Sequence, residues 1–343
     1  MFKKISLSII TVVTVQAQSL NSILTQKGGT ENAIFLNPAK LTYKNSDSTI
    51  KADFLNASLR LSDDSYTFLK DLKDATSSSK RNKKISELLK KNIGKTLTFS
   101  AYNFSSLSQN QGNFSWSVGL AHSTDGYFIT HSGFGSKGAM ESFIEKYRAL
   151  VTTFSLKQDA LNYGLNIKSI KKTISTHNYS IQEMIENDSF SDYFDNKNSK
   201  DESAISVDIG LTYELQNTPL SPNISLSLLD IGDTSFQELG TLPSTTNIGL
   251  SLKPYQNASL QFDYIDLFKH QKNQHFEDAF RVHLSQEFFN RHLKINSGIL
   301  QNALLYGIEY NYSLLNIALN SYKAKTHRQE KERRYELSIA LSW

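Results

Sequence analysis

The chain of 343 residues contains no cysteine and only 5 prolines. Without cysteine there can be no disulfide, no thiolate metal site and no cysteine nucleophile. Lys and Arg number 37 against 33 Asp and Glu, a formal net charge of +4, which is too small for a dedicated nucleic-acid-binding protein. The sequence also lacks a phosphate-binding loop and a dinucleotide-binding fingerprint. We therefore expect no nucleic-acid partner and no cofactor.

The chain has no long apolar run beyond its first residues. After residue 17 no stretch reaches the roughly 18 apolar residues that a transmembrane helix needs. The mean hydropathy is −0.39, a value typical of soluble proteins, but an average does not register how apolar residues are spaced. Two classes remain, a soluble exported protein and a closed β-barrel whose strands cross a membrane.

The first 17 residues have the form of a secretory signal. Lys3 and Lys4 supply positive charge, residues 5–15 are apolar, and Ala17 is the small residue that a signal peptidase requires. We predict that residues 1–17 are a signal peptide cleaved after Ala17. An exported chain without cysteine fits a bacterial periplasm or outer membrane.

The last segment of the chain alternates strictly between apolar and small or polar residues. The apolar positions, one on every second residue up to the terminus, are Tyr335, Leu337, Ile339, Leu341 and Trp343. Such a period of two predicts a β-strand with one apolar face. An aromatic residue at the end of that strand resembles the signal that the barrel assembly machinery recognises in outer-membrane proteins. We interpret these five residues as the assembly signal.

Alternating segments recur from residue 48 to the C-terminus, and fifteen can be delimited, two of them at 113–123 and 125–132. Bacterial single-chain barrels have an even number of strands. One assignment in the first third must therefore be wrong, and we predict an all-β transmembrane antiparallel barrel of about 14 strands, within a range of 12 to 16. Long and short connections alternate, which is typical of external loops and periplasmic turns.

Three stretches show helical rather than strand spacing, near 65–93, 139–147 and 180–190. In the last of them, Ser180 and Glu183 are placed as a capping box. We predict short helices inserted between strands at all three places.

A motif lies between the signal and the first strand. The sequence from Gly28 to Leu41 has the pattern Gly-Gly-Thr-Glu-Asn-Ala-Ile-Phe-Leu-Asn-Pro-Ala-Lys-Leu. In it Asn37, Pro38, Ala39 and Leu41 match the Asn-Pro-Ala segment of the FadL-type superfamily of hydrophobic-compound transporters. Lys40 stands where that family usually has glycine.

The charged stretch at 65–93 makes the chain most similar to the TraF-like, conjugal-transfer branch of that superfamily. The resemblance implies that residues 18–47 are a hatch, or plug segment, inside a barrel formed by residues 48–343, with Asn37, Pro38, Ala39 and Leu41 as its gating residues. It also implies a non-enzymatic function in which small hydrophobic compounds are bound or passed across the outer membrane. The alternatives are a structural component that binds conjugation or secretion proteins, and a soluble exported binding protein.

A search for catalytic chemistry argues against an enzyme. The pairs His122–Ser123 and His131–Ser132 are adjacent, so in a strand the two side chains of each pair point to opposite faces. No histidine spacing predicts a metal site.

Residues 323–334 hold the densest basic patch. Beyond the surrounding outer-membrane lipids, this patch could meet lipopolysaccharide phosphates, although a solvated rim loop is the simpler interpretation.

Overall fold

The computed structural model describes residues 30–41, 49–132, 138–186, 193–194, 198–215, 218–268, 279–300, 302–325 and 331–343. The predicted signal peptide and the cleavage position Ala17 lie outside these residues. The strands are β1 (Thr49–Ser62), β2 (Thr96–Gln111), β3 (Phe114–Thr130), β4 (Met140–Gln158), β5 (Leu161–Tyr179), β6 (Ser199–Glu214), β7 (Asn223–Leu229), β8 (Thr234–Phe236), β9 (Gly240–Leu242), β10 (Thr245–Leu252), β11 (Ala258–Tyr264), β12 (Phe280–Phe288), β13 (Leu293–Leu300), β14 (Ala303–Tyr312), β15 (Leu315–Lys325) and β16 (Lys331–Ser342). The helices are α1 (Thr30–Phe35), α2 (Asp63–Thr76), α3 (Arg81–Asn92) and α4 (Ile181–Glu186), with short 3-10 turns at Pro38–Leu41 and Gln237–Leu239.

Fourteen of these strands form one closed barrel. Sequential neighbours pair antiparallel throughout, β7 pairs with β10, and β1 pairs with β16 to close the wall. The two remaining strands, β8 and β9, form a separate two-stranded sheet within the β7–β10 connection. The predicted antiparallel barrel of 14 strands is confirmed.

The extra strand predicted from the sequence came from dividing one strand into two. The segments 113–123 and 125–132 together form β3, which pairs continuously with both β2 and β4. The prediction divided the two segments at residue 124, which here lies within one long strand. A side chain at Gly126 would overlap the Phe99 ring and the Phe143 carbonyl, so this glycine serves close packing within the wall.

The wall is apolar on its outer face and polar within. On β16, Leu337 is 46% exposed whereas its neighbour Glu336 is 0% exposed. The same alternation runs through the wall, with outward residues such as Ile167 and Ile308 exposed and inward ones such as Asn166 and Asn296 buried. This arrangement reverses that of a soluble protein and is the one expected of a barrel in lipid.

The helices α2 to α4 pack on the outer face of β2–β5 where these strands extend towards the long connections. Phe128 has the same parity along β3 as Leu120, which is 62% exposed, yet Phe128 is completely buried. It is covered by a cluster to which α2 contributes Phe68 and Leu72 and α3 contributes Ile85. Burying each such side chain is worth about 2 kcal/mol. The helices therefore cover the wall from outside and leave the lumen to other elements.

One predicted helix is wrong. Residues 139–147, assigned to a helix from the spacing of Met140, Phe143, Ile144 and Tyr147, belong to strand β4. The spacing misled because apolar side chains are buried on both faces of this part of β4. Met140 and Ile144 pack under the helices on one face, while Tyr147 packs inside the barrel on the other.

The stretches 65–93 and 180–190 contain α2, α3 and α4, and Ser180 and Glu183 form the reciprocal hydrogen bonds of a capping box. No helix among the described residues is long and apolar enough to cross a membrane.

Candidate functional site in the barrel lumen

The N-terminal residues 30–41, here called the inner segment, lie inside the barrel. At one end the Glu31 carboxylate accepts a hydrogen bond of 2.5 Å from Asn56 on β1. Further along, Leu36 packs against Ile265, directly after β11. These two strands are separated by much of the wall, so a segment that contacts both must cross the interior.

Two facing glycines form a notch that receives the inner segment. Gly164 on β5 pairs in register with Gly210 on β6. A Cβ atom at Gly164 would overlap the backbone of Pro38 and Ala39, and one at Gly210 would overlap the side-chain oxygen of Asn37. The backbone of the inner segment can lie this close to the wall only because both positions lack a side chain. This notch defines where the Asn-Pro-Ala sequence sits.

Asn37 joins the inner segment to the wall through its side chain. Its Nδ2 donates to the carbonyl oxygens of Leu211 and Leu226, at 3.2 and 3.1 Å, while its Oδ1 accepts from the backbone N–H of Ala39 at 3.0 Å. Asn37 is 0% exposed. The next residue, Pro38, has no N–H to satisfy, which suits a position pressed against the wall. An asparagine followed by proline therefore leaves no unpaired donor at the point of closest contact.

A polar network anchors the end of α1 to β5 and β6. The Nδ2 of Asn166 lies 3.0 Å from the carbonyl oxygens of both Ala33 and Ile34 and 2.9 Å from an oxygen of Asp208. Lys168 lies 2.7 Å from Asp208 and 2.7 Å from Asp230. Because these groups are buried, their charges are only weakly screened by solvent. The network links the inner segment to the start of the β7–β10 connection, where Asp230 lies.

The β7–β10 connection also enters the lumen, on the side of the long connections. Its Phe236 and Leu239 pack against Tyr147 and Ile170, which share the inward face of β4 and β5 with buried polar residues. Lys172 lies over the Tyr147 ring, 5.4 Å from its centroid, a cation–π contact. The lumen thus holds two elements along the β4–β6 wall, and the Asp208–Lys168–Asp230 group lies between them.

Glu31 is a buried carboxyl group in a crowded electrostatic setting. Burial raises its pKa to about 7; the hydrogen bond from Asn56 and the charge of Arg60 act against that shift, and the nearby carboxylates Asp53 and Glu336 add to it. The contact between α1 and the β1–β16 seam is therefore sensitive to the protonation of a single group.

Lys40, which replaces the glycine usual in the Asn-Pro-Ala pattern, is 6% exposed. Burial lowers its pKa to about 7, although the nearby carboxylate Asp263 on β11 opposes that shift. The lysine therefore lies close enough to β11 to interact with the charge of Asp263, and it adds an electrostatic link between the inner segment and the barrel.

The structure brings the predicted gating residues Asn37, Pro38, Ala39 and Leu41 together, all buried in the lumen. Sequence reasoning missed their wall partners Gly164, Gly210 and Asn166. Single glycines inside two alternating strands were the available signal, since a glycine in a strand often marks a close approach of backbone.

The five residues of the predicted assembly signal all lie on the outer face and are between 37% and 66% exposed. In the pair His122–Ser123 the histidine is exposed and the serine is buried, so the two point to opposite faces as expected. Within the described residues, no cluster of three His, Asp or Glu side chains could hold a metal ion.

No protein-family model matches this chain, and no curated protein matches it in sequence. Among solved structures it is similar in fold to the "TodX deltaS2S3 mutant monoaromatic hydrocarbon channel", with a TM-score of 0.55 and 10% identity over 92% of this chain and 94% of that one. It is also similar to the Pseudomonas putida toluene transporter TodX, with a TM-score of 0.52 and 11% identity over 92% and 94% of the two chains.

At identities this low, the similarity in structure shows a shared fold alone. The fold and its interior define a closed 14-stranded barrel with an apolar exterior and an occupied lumen. The resemblance of the sequence to the FadL-type superfamily, and to its TraF-like branch, stays a prediction.

Proposed function

We propose that this protein is a non-enzymatic outer-membrane β-barrel that binds small hydrophobic compounds and passes them across the outer membrane. The observation that carries the proposal is the combination of an apolar outer wall with the inner segment seated in the Gly164–Gly210 notch. An apolar wall is stable in lipid, and an occupied lumen requires movement of that segment before a solute can pass. Export through a signal peptide cleaved after Ala17 belongs to the same proposal.

The chemistry of the lumen supports a hydrophobic solute. Ile34 of the inner segment packs against Tyr102, Phe104 and Val151 of the wall. The Phe35 ring lies edge-on to both Tyr102 and Phe104, with centroid distances of 5.8 Å. Displacement of Phe35 would leave an aromatic surface that an aromatic or alkyl solute can occupy in its place. The similarity in fold to a hydrocarbon channel supports the same class of solute.

In the proposed mechanism a solute is captured at the side of the long connections, where α2–α4 and β8–β9 lie. The inner segment then leaves its notch, with Asn37 giving up its two carbonyl contacts, and the solute passes the aromatic surface. The free-energy cost of moving the segment is limited, because few polar contacts hold it and each is worth about 1 kcal/mol. Binding to conjugation or secretion proteins is favoured by no contact among the described residues and forms no part of this proposal.

The proposal is tested by uptake in cells that express the full chain in an outer membrane. We expect increased uptake of a labelled monoaromatic hydrocarbon and unchanged uptake of a polar sugar of similar mass. The Asn37→Asp variant places a carboxylate against two carbonyl oxygens, so its hydrocarbon uptake should change, while Asn311→Asp on β14, on the opposite side of the barrel, serves as the control. Recovery of the protein in the soluble periplasm, or equal uptake with and without the protein, would contradict the proposal.

A further inference from the structure

We infer that the outer face of the β15–β16 hairpin binds the phosphate groups of lipopolysaccharide through Lys323, Lys331 and Arg333. This inference rests on the proposed outer-membrane location and adds a lipid ligand to it. The three residues form what is here called the cation ladder.

The register of the hairpin places like charges side by side. Lys323 on β15 lies directly opposite Arg333 on β16, and Lys325 lies opposite Lys331. Directly paired residues in a sheet have Cβ atoms about 5 Å apart, and like charges at such positions destabilise the pairing. Lys323 and Lys331 are exposed and Arg333 is partly exposed. Such an arrangement is stabilised by an anion that binds across the two strands.

Within the part of the chain that the structure describes, no acidic side chain supplies that anion. Among the described residues no ion pair involves Lys323, Lys331 or Arg333; Arg333 donates to the Ser321 hydroxyl at 3.1 Å, and Lys331 donates to the carbonyl of Asn302 at 3.3 Å. The acidic residue between them, Glu332, has the opposite parity and pairs with Arg334 at 2.8 Å. The negative charge of Glu332 is therefore used on the other face of the hairpin.

The position of the ladder identifies a lipid as the source of the anion. Along β16 the outward face runs Leu341, Ile339, Leu337 and Tyr335 before it reaches Arg333, so the cations begin where the apolar band ends. On the adjacent β14, Leu304 and Tyr306 are 59% and 48% exposed beside this hairpin. A molecule with acyl chains and a phosphate would contact the apolar residues and the cations at once. The β15–β16 connection is at the side of the long connections, which in such barrels is the outer leaflet.

The test uses the full-length protein purified in detergent and counts bound lipid by native mass spectrometry. Bis-phosphorylated lipid A is compared with the same lipid after removal of both phosphates. We expect the phosphorylated form to bind about tenfold more tightly or better. The Lys323→Gln/Lys331→Gln/Arg333→Gln triple variant should lose this preference. Lys51→Gln/Lys253→Gln/Arg291→Gln, with the same change of charge at the short-turn end, should keep it.

Three results would overturn the inference: equal binding of the two lipids by the native protein, a preference retained in the triple variant, or a preference lost in the control. Competition by inorganic pyrophosphate at equal concentration would assign the ladder to free phosphate instead of lipid, which also contradicts it. Unfolding of the triple variant is checked by its heat-dependent gel migration, and Lys323→Gln alone should then show a smaller loss of preference. None of these readouts measures solute passage, so failure here is distinguishable from failure of the proposed transport.

Discussion

Gly164 on β5 lies opposite Gly210 on β6, and the backbone of Pro38 and Ala39 fills the space that their side chains would occupy. This pair explains why a short segment can be fixed inside a wide barrel with few contacts. The wall is shaped to the backbone of the segment, and the side chain of Asn37 supplies the polar contacts at the same point. A change at either glycine should therefore displace the segment and leave the barrel intact.

The first prediction concerns this notch. Gly164→Ala should push the inner segment away from the wall, because the added methyl group overlaps backbone atoms of Pro38 and Ala39, which cannot rotate aside as a side chain can. Since the chain has no cysteine, Ala33→Cys provides a unique label, and Ala33 is 0% exposed. We expect its reaction with a maleimide to accelerate about tenfold or more in the Gly164→Ala background, equivalent to at least about 1.4 kcal/mol of lost docking energy.

Gly307→Ala is the matched control for the notch. On the inner face of β14 an added methyl group would meet only side-chain atoms of Asn320 and Asn296, which can rotate away. Labelling at residue 33 should stay slow in this variant. Slow labelling in both variants would show that the glycine pair does not hold the segment.

The second prediction concerns Glu31 and pH. Its pKa is raised to about 7 in the docked segment, against 4.5 for the exposed group. Docking is therefore fully stable below about pH 4.5 and weakens as the pH rises through about 7, with a total loss of roughly 3 kcal/mol. The groups that face Glu31 are Asp53, Asn56 and Arg60 on β1, Tyr102 on β2 and Glu336 on β16.

Labelling of Ala33→Cys measures this effect at about pH 5.5 and about pH 8.5, on either side of the docked pKa. Comparison with the same cysteine in a Glu31→Gln background removes the pH dependence of the thiol itself. We expect the labelling rate of Ala33→Cys with Glu31 present, divided by its rate in the Glu31→Gln background, to rise with pH. A ratio that is constant across this range would mean that Glu31 does not titrate against docking.

The sequence was sufficient to predict the strands of the wall but not the contacts inside the barrel. The outer face of β16, from Tyr335 to Leu341, alternates without interruption because lipid imposes one requirement on every second residue. Inside the barrel each side chain meets a different partner. The contact of Asn166 with Ala33 and Ile34 joins residues more than 130 positions apart in the chain, and nothing in the local pattern around either end indicates it.

The two errors have the same physical origin. Strand β3 was divided at residue 124, and residues 139–147 were assigned to a helix, because both stretches depart from simple alternation. In the structure both stretches lie against the apolar cluster on the outer face. Gly126 packs against Phe99 of the neighbouring strand β2, and Met140 and Ile144 pack under the helices α2–α4. Where the outer face of the wall is covered by protein, both faces carry buried apolar side chains, and the period of two is lost.

The third prediction concerns the seam at which the barrel closes. Arg60 on β1 and Glu336 on β16 pair in register, with 3.4 Å between Arg60 Nε and Glu336 Oε2, and the Glu336 side chain is 0% exposed. Glu336→Gln leaves a buried guanidinium without its partner, which typically costs about 3 to 5 kcal/mol. We expect a clear fall in the temperature at which the barrel loses its compact migration on a gel. Asp201→Asn is the control, since it removes a pair with Lys171 that is about half exposed and worth at most about 1 kcal/mol.

The last prediction separates two roles of Trp343. Its backbone closes the seam, because its N–H donates to Ala52 O and its own carbonyl accepts from Ala52 N–H, both at 2.8 Å. Its side chain is 66% exposed on the outer face and makes no such contribution. Deleting Trp343 removes both hydrogen bonds, about 2 kcal/mol in total, whereas Trp343→Ala removes only the ring.

If the terminal aromatic ring is the assembly signal, Trp343→Ala should lower the amount of folded barrel in the membrane as much as the deletion does, and Trp343→Phe should restore it. If only the hydrogen bonds matter, Trp343→Ala should assemble like the native chain, and the interpretation of the terminal residue as a signal would be wrong. Quantifying folded and unfolded bands from isolated membranes distinguishes these outcomes, because Trp343→Ala and Trp343→Phe keep the backbone of residue 343, and therefore the seam, whereas the deletion does not.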